Sequence, residues 1–191
     1  MELEKILLKI FERFASVSEN SFKEVLDLIS LKTYPPNYYF VNEGKREESE
    51  YFVLDGIIRS NIFTRKGEDV TLSFFYEKSV LPPCISRTND GISTLNFQSL
   101  SEVKIAIINA NLFRELMQKH LDLYQFGNMV MMSELQIKAK KEISFATLSA
   151  KVRLEELRSQ FPGIENLIPH THIASYLGIT PISLSRLRNK Q

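Results

Sequence analysis

The spacing of apolar residues changes along the chain, and each change predicts a change of secondary structure. Leu3, Ile6 and Ile10 recur at helical spacing, which predicts an amphipathic helix over 2–14, and a similar pattern predicts a second helix over 18–30. Between residues 38 and 108, short β-branched and aromatic runs alternate with turn signals such as Asp55-Gly56. The predicted strands are 38–41, 51–54, 57–63, 70–75, 93–100 and 103–108. No helical pattern interrupts them, so we expect a barrel or jelly roll rather than a parallel α/β sheet.

Helical spacing returns after residue 109 and predicts a short helix, then a long helix over 121–144, then another over 149–160. The long helix has apolar residues on more than one side, among them Leu121, Val130 and Leu135. Such a helix needs a second packing surface besides its own domain. We expect that surface to be the same helix of a second subunit; the alternative is burial within one monomer.

Residues 171–190 have the pattern of two short helices joined by a tight turn. Ile173 and Leu177 lie four residues apart on one side of the first helix, and Gly178 can take the positive φ that ends it. Thr180 can cap the second helix, with Pro181 at the first helical position, where no backbone donor is needed. This pattern predicts a helix-turn-helix.

The second of these helices has an apolar side and a polar, basic side. Leu184 and Leu187 share the side expected to be buried. The opposite side carries Ile182, Ser185, Arg186 and Asn189. In a helix-turn-helix this surface enters the DNA major groove, where Arg can bind guanine edges and Asn and Ser can bind bases or phosphates. The alternative is an ordinary capped amphipathic helix whose outward charges are only solvated.

The overall composition excludes several classes of protein. No apolar run in the 191 residues is long enough to span a membrane, and the charged N-terminus does not resemble a signal peptide. The single cysteine, Cys84, excludes an internal disulfide, which fits the cytoplasm, and it also excludes a four-cysteine iron–sulfur cluster. The net charge is +1, but residues 138–191 hold nine Lys or Arg against four Glu, leaving −4 for residues 1–137. A basic C-terminal part suits binding to nucleic acid.

The sequence carries little that would indicate catalysis or a metal site. His170 and His172 are two residues apart, but a bare His-x-His is a weak metal signal, and no His lies on the predicted strands. Cys84 lies beside prolines with no nearby base to activate it. No phosphate-binding glycine loop, nucleophile elbow or carboxylate pair is found. We therefore expect no enzyme activity, no metal and no cofactor.

The order of these elements resembles the family of the cyclic-AMP receptor protein and the fumarate–nitrate regulator, the Crp/Fnr family, over nearly the whole chain. The front half is similar to the family in Tyr51-Phe-Val-Leu-Asp-Gly56, Ile57-Ile-Arg-Ser60 and Lys66-Gly67-Glu68-Asp-Val-Thr-Leu72. The back half is similar in His172-Ile-Ala-Ser-Tyr-Leu-Gly-Ile-Thr-Pro181, followed by Ser183-Leu-Ser-Arg-Leu187.

The resemblance implies an α+β fold in three parts. Residues 1–120 would form a cyclic-nucleotide-binding-like β-roll, a double-stranded jelly roll that acts as sensor. Residues 121–146 would form a long dimerisation helix with a linker, and residues 147–191 a winged helix-turn-helix. The implied protein is a homodimeric transcription regulator that binds double-stranded DNA and has RNA polymerase as a further partner.

The resemblance also implies roles for individual residues. The recognition positions that match the family are Thr180, Pro181, Ile182, Ser183, Ser185 and Arg186. Arg186 would contact a base, whereas Thr180, Ser183 and Lys190 would contact phosphates; Asn189 completes the candidate surface. Many members have Glu where this chain has Ile182. Because Ile cannot accept a hydrogen bond from cytosine, the sequence that is read should differ, for example through a thymine methyl.

The predicted sensor departs from the members that bind cyclic nucleotides. Their Gly-Glu pair approaches the phosphate and holds the ribose, and an Arg neutralises the phosphate. The corresponding segment, residues 74–91, has no Gly-Glu pair, and its Arg87 lacks the family's flanking residues. We therefore expect no cyclic AMP binding. Glu77 and Arg87 are candidates for contacting another effector, of unknown identity; the alternative is that both are solvated loop residues. A rival to the whole interpretation is a small-molecule-binding β-roll protein whose terminal helices bind protein rather than DNA.

Overall fold

The computed structural model describes residues 2–82 and 86–189, with side chains from residue 4 onward. The helices are α1 Glu2–Glu12, α2 Glu19–Leu28, α3 Ala110–Lys119, α4 Leu121–Thr147, α5 Ala150–Gln160, α6 Ile164–Leu167, α7 His170–Tyr176 and α8 Pro181–Arg188. The strands are β1 Ser30–Tyr34, β2 Tyr39–Val41, β3 Ser49–Asp55, β4 Ile58–Phe63, β5 Asp69–Phe75, β6 Ser79–Leu81, β7 Asn96–Ser99 and β8 Val103–Asn109.

The strands form two four-stranded antiparallel sheets that face each other. The first sheet has the order β1-β8-β3-β6 and the second has the order β2-β7-β4-β5. Inward side chains from both sheets, including Val53, Ile58, Phe97 and Ile105, fill the space between them. This arrangement confirms the predicted jelly roll. Because successive side chains of a strand point to opposite faces, each sheet also has an outward face that can pack against helices.

Helices α1 to α4 cover the outer face of the first sheet. Phe11 of α1 stacks on Phe126 of α4 with ring centroids 4.2 Å apart, and both rings contact Phe52 of β3. These three residues are almost completely buried. Because α4 contributes to this core only through its first three turns, the rest of the helix is available for other contacts.

A C-terminal unit made of α5 to α8 packs on the outer face of the second sheet. Phe74 and Phe75 are neighbours on β5, so their side chains point to opposite faces of the sheet. Phe75 joins the interior of the roll, whereas Phe74 joins a core with Leu154, Ile173 and Leu184 of the C-terminal unit. The α+β fold with an N-terminal β-roll and a C-terminal helical unit is therefore confirmed.

The structure corrects the predicted elements in three places. The helix expected to end at residue 30 ends at Leu28, and an unpredicted edge strand, β1, follows it. Most of β1 is exposed, including Leu31, so the strand has no alternating apolar signal. The short strand β6 was also missed.

The third correction concerns the predicted wing. Residues 147–189 contain no strand, and the segment between α5 and α7 is instead the short helix α6. Gly163 takes a left-handed conformation with φ of 78° and turns the chain directly into α6. Ile164 and Ile168 then anchor the segment in the C-terminal core, which leaves no residues for a hairpin.

Among the described residues, no helix combines the length and the apolar character that crossing a membrane requires.

Candidate nucleic-acid interface

Helices α7 and α8 form the predicted helix-turn-helix. Ile173, Ala174 and Leu177 are buried, as their spacing predicted. Gly178 ends the first helix with φ of 67°. A Cβ atom at this position would lie 2.8 Å from Cε1 of Phe145 on α4, so the turn requires glycine for its conformation and also for its close contact with the long helix.

The start of α8 is fixed by the cap that the sequence predicted. The Thr180 hydroxyl accepts a hydrogen bond from the Ser183 backbone N–H at 3.1 Å, and Pro181 occupies the first turn. Leu184 is buried against α7, and Leu187 packs partly against the same core. The cap and the buried leucines together hold α8 with its other side toward solvent.

The outward side of α8 is the candidate DNA-reading surface. Ile182 is 67% exposed, and Pro181, Ser185, Arg186 and Asn189 are also exposed. Thr180 and Ser183 lie at the edge of this surface, with their hydroxyl oxygens 3.0 Å apart. Lys190, the remaining candidate, lies outside the described residues. The structure thus places the described candidates together, on or beside the outward side of α8.

Two arginines near this surface behave differently. Arg188 is held by an acceptor inside the C-terminal unit, because its Nε lies 3.0 Å from Glu165, which also binds Arg158 at 2.6 Å. The hydrogen bond from Arg158, aided by both positive charges, lowers the pKa of the Glu165 carboxyl. Arg186 forms no ion pair with any residue that the structure describes. Arg186 is therefore the guanidinium of α8 that is free to bind an external anion or base edge.

Sequence analysis missed the contact by which the helix-turn-helix attaches to the β-roll. The Ser175 hydroxyl of α7 accepts a hydrogen bond from the Thr71 backbone N–H at 2.9 Å and donates one to the Asp69 carbonyl at 3.1 Å. His172 is half-buried at the same contact, and burial, aided by the charge of Arg59, lowers its pKa. The partners are more than a hundred residues apart in the sequence, so no local pattern could have shown this contact.

Beneath this contact lies a buried arginine that is fully hydrogen-bonded. Arg59 is 1% exposed, and its guanidinium donates to the Asp69 carboxylate, to Thr71, to Gln98 and to Tyr39. The Arg59 Nη1 to Asp69 Oδ1 distance is 3.0 Å. The network fixes the conformation of β5, the strand on which α7 rests.

Lys141 of α4 joins the long helix to both the sheet and α7. Its ammonium group donates a hydrogen bond to the Leu72 carbonyl and lies 3.9 Å from the centre of the Tyr176 ring. Leu72 is skipped by a β-bulge, since Ser60 pairs with Ser73 and Asn61 pairs with Thr71. Burial lowers the pKa of Lys141 to about 8.

Helix α4 has two apolar sides, as predicted. Leu123, Phe126 and Val130 lie on the buried side. The opposite side is exposed, although it is largely apolar. It carries Leu121, Tyr124, Met132, Leu135 and Ile143, which are between 52% and 71% exposed. These five residues define the exposed α4 face.

The two effector candidates line different cavities. The Arg87 guanidinium pairs with the nearly buried carboxylate of Glu50 and also donates to the carbonyls of Glu47 and Ser49. Glu77 lies exposed in the β5–β6 turn and pairs with Lys78 at 2.9 Å. Arg87 lines a polar cavity beside α3, whereas Glu77 lines cavities near α1. The structure therefore does not bring Glu77 and Arg87 into one pocket.

The described residues hold no group of three or more His, Cys, Asp or Glu that could ligate a metal ion. Cys84 lies outside the described residues.

Solved structures provide the comparison for this architecture. FixK2 from Bradyrhizobium japonicum matches with a TM-score of 0.73 at 15% identity, over 85% of this chain and 83% of FixK2. The c-di-GMP responsive global regulator CLP from Xanthomonas campestris matches with a TM-score of 0.70 at 15% identity, over 91% of each chain. A transcriptional regulator of the Crp/Fnr family from Eubacterium rectale matches with a TM-score of 0.72 at 16% identity, over 91% of this chain and 83% of that one.

No protein-family profile matches the chain, and no curated protein does. The structural similarity extends over both the β-roll and the helical C-terminal unit. The chain therefore has the fold of the Crp/Fnr transcriptional regulators.

Proposed function

We propose that this protein is a sequence-specific, double-stranded DNA-binding transcription regulator that acts as a homodimer. The observation that carries the proposal is the outward side of α8, where the unpaired Arg186 lies among exposed polar residues on a capped helix. Arg186 reads a base edge, and Ser185 and Asn189 bind neighbouring bases or phosphates. Thr180, Ser183 and Lys190 bind phosphates, while Pro181 and Ile182 provide apolar contact.

The exposed α4 face supports the dimer. Its five large apolar residues are spaced along one side of a 27-residue helix, opposite the side that packs on the roll. Pairing with the same face of a second copy removes this surface from water and places two α8 helices on one DNA duplex. On this view, residues 1–120, 121–146 and 147–191 are the sensor, the dimerisation helix with its linker, and the DNA-binding unit. The regulator acts in the cytoplasm without enzyme activity, with RNA polymerase as a further partner.

The interior of the β-roll supports the expectation that cyclic AMP is not bound. The space between the sheets is filled by large side chains that include Phe75, Leu81 and Phe97. The Arg87 guanidinium is already occupied by Glu50 and by two carbonyl groups, so its donors are not free to neutralise a phosphate. Glu77 and Arg87 would contact another effector only from separate cavities.

DNA binding is tested by selecting bound fragments from a genomic pool with the purified protein, at moderate salt, with and without cyclic AMP. We expect a palindromic site with half-sites about one helical turn apart, and an equal yield in both conditions. A strong increase with cyclic AMP would contradict the proposed sensor.

The role of Arg186 is then tested on the selected site. Arg186→Ala should weaken binding by about 1–3 kcal/mol and relax specificity at one base pair. Arg114→Ala is the matched control, because Arg114 is an exposed arginine on α3 of the β-roll unit. Equal affinities of wild type and Arg186→Ala would instead favour the rival function, in which the terminal helices bind protein.

A further inference from the structure

A cavity of about 350 Å³ lies where the β-roll, the long helix and the DNA-binding unit meet. The end of β5 forms one wall, α4 forms another, and the turn after α5 together with α7 closes a third. This junction cavity lies on the inward side of α4. It is therefore not covered by a partner that binds the exposed α4 face.

The walls of the junction cavity are rich in aromatic rings. Phe14, Phe74, Phe161 and Tyr176 line it, together with Tyr76. The Tyr76 and Phe161 rings stack with centroids 4.8 Å apart, and Phe74 lies 5.1 Å from Tyr176. These contacts hold the rings in place before any ligand binds, and flat apolar walls suit a flat apolar ligand.

Two hydrogen-bond donors that are at least partly buried line the junction cavity without a full set of partners, apart from the exposed Arg13. The Tyr76 hydroxyl is buried and has no hydrogen-bond partner among the described residues. The Lys141 ammonium has three N–H donors, of which one binds the Leu72 carbonyl, and no described carboxylate forms an ion pair with it. Buried donors of this kind normally have an acceptor, and a buried ammonium normally has a counter-charge.

Two carboxylates among the described residues line the junction cavity, Glu77 and Glu134, and neither forms an ion pair with Lys141. Glu77 is exposed in the β5–β6 turn and pairs with Lys78 at 2.9 Å. Glu134 precedes Lys141 by seven residues, which is about 10 Å along the helix axis. Burial raises the pKa of the Glu134 carboxyl. Glu134 therefore repels an anion bound at Lys141 from a greater distance than Lys141 attracts it.

We propose that the junction cavity binds a small aromatic carboxylate, whose carboxylate group accepts hydrogen bonds from Lys141 and Tyr76 and whose ring packs against the aromatic walls. Such a ligand supplies the acceptor and the negative charge that these groups lack. It touches the roll, α4 and α7 at once, so it stabilises one arrangement of the DNA-binding unit relative to the roll. This ligand site is separate from the proposed DNA-reading surface of α8, and binding to it can be measured without DNA.

The test is calorimetric titration of the full chain with three probes. Benzoate carries the ring and the charge, benzamide has the same shape without the charge, and cyclohexanecarboxylate has the charge without the flat ring. We expect saturable binding of one benzoate per protomer, and binding of benzamide weaker by about tenfold or more because the charge-assisted hydrogen bonds are lost. Cyclohexanecarboxylate should also bind more weakly, because its puckered ring fits flat walls poorly.

Variants assign the binding to the two donors. Lys141→Met should weaken benzoate binding by about tenfold or more, and Tyr76→Phe by about fivefold, since it removes one hydrogen bond and keeps the stacked ring. Lys140→Met is the matched control, because Lys140 is an exposed neighbour on the same helix that does not line the junction cavity. It should leave benzoate affinity unchanged.

The proposal is overturned if benzoate shows no saturable binding to the wild-type chain, or if benzamide binds as tightly as benzoate. Equal benzoate affinity in wild type and Tyr76→Phe, with the fold intact by circular dichroism, also overturns it. Should Lys141→Met fail to fold, the comparison of benzoate with benzamide on the wild-type chain still decides the question. A failure of DNA binding leaves these titrations unaffected.

Discussion

Replacing Asp69 with alanine tests whether the buried arginine under α7 depends on one carboxylate. Asp69 is the only carboxylate that the described residues place against the Arg59 guanidinium, which is 1% exposed. Removing one partner of a buried ion pair costs about 3–5 kcal/mol, because the remaining charge stays buried without compensation. Gln98, Thr71 and Tyr39 still accept hydrogen bonds from Arg59. We therefore expect Asp69→Ala to lower the free energy of unfolding by about 3 kcal/mol, at the lower end of that range.

The measurement is urea unfolding followed by circular dichroism, for wild type, Asp69→Ala, Arg59→Met and the double variant. Arg59→Met removes the charge and keeps an apolar side chain of similar length in the same place. The double variant no longer buries an unpaired charge, so it should be more stable than Asp69→Ala alone. A loss below about 1 kcal/mol for Asp69→Ala, or a double variant less stable than that single variant, would refute this reasoning.

Three further predictions concern α4 and the turn of the helix-turn-helix. Gly178→Ala should lower the stability in thermal unfolding more than Gly163→Ala does. Both substitutions add about 1–2 kcal/mol of strain in the left-handed conformation. In addition, a Cβ at position 178 would lie 2.8 Å from the Phe145 ring, whereas a Cβ at position 163 has no atom within 4 Å. Leu135→Glu should convert the proposed dimer to a monomer in light scattering, because it places a charge on the exposed α4 face. Leu167→Glu on α6 should have no such effect, and it is a matched control because the two leucines are 55% and 56% exposed. The pKa of Lys141 is about 8 in the folded chain, whereas an ordinary lysine has a pKa of 10.5. Between these pH values the unfolded chain binds more protons, so stability should rise with pH there by about 3 kcal/mol relative to Lys141→Met. Parallel pH profiles for wild type and Lys141→Met would contradict the last prediction.

Local signals were sufficient for the helix-turn-helix and for most of the roll. Thr180 and Pro181 indicate the start of α8, because capping and φ restriction act over only three or four residues. Gly178 indicates the end of α7, because a positive φ is also a local property of one residue. The predicted strands are β-branched and aromatic runs separated by turn signals, and each such run is visible on its own. The edge strand β1 was not visible, since most of its side chains are exposed on both faces.

The contacts that join the units could not be predicted from the sequence. Ser175 reads as an ordinary helical serine, and its partners on β5 become visible only when distant segments meet. From the sequence, Lys141 is expected to be a solvated lysine, because it lies in a basic stretch with Lys138 and Lys140. It is partly buried because a bulge at Leu72 turns a carbonyl toward it and because Tyr176 covers it. The burial of these polar groups depends on long-range contacts, so the periodicity of the sequence does not predict it.

The hydrogen bonds of Ser175 also bear on the risk of aggregation. Strand β5 is an edge of the second sheet, and the backbone groups of Asp69 and Thr71 that bind Ser175 point away from β4. An uncovered edge strand offers these groups to the strands of other molecules. Helix α7 therefore protects the sheet edge in addition to positioning α8. Any event that lifts the C-terminal unit from the roll exposes this edge, and a chain truncated before α7 should form sheet-rich aggregates more readily than the full chain.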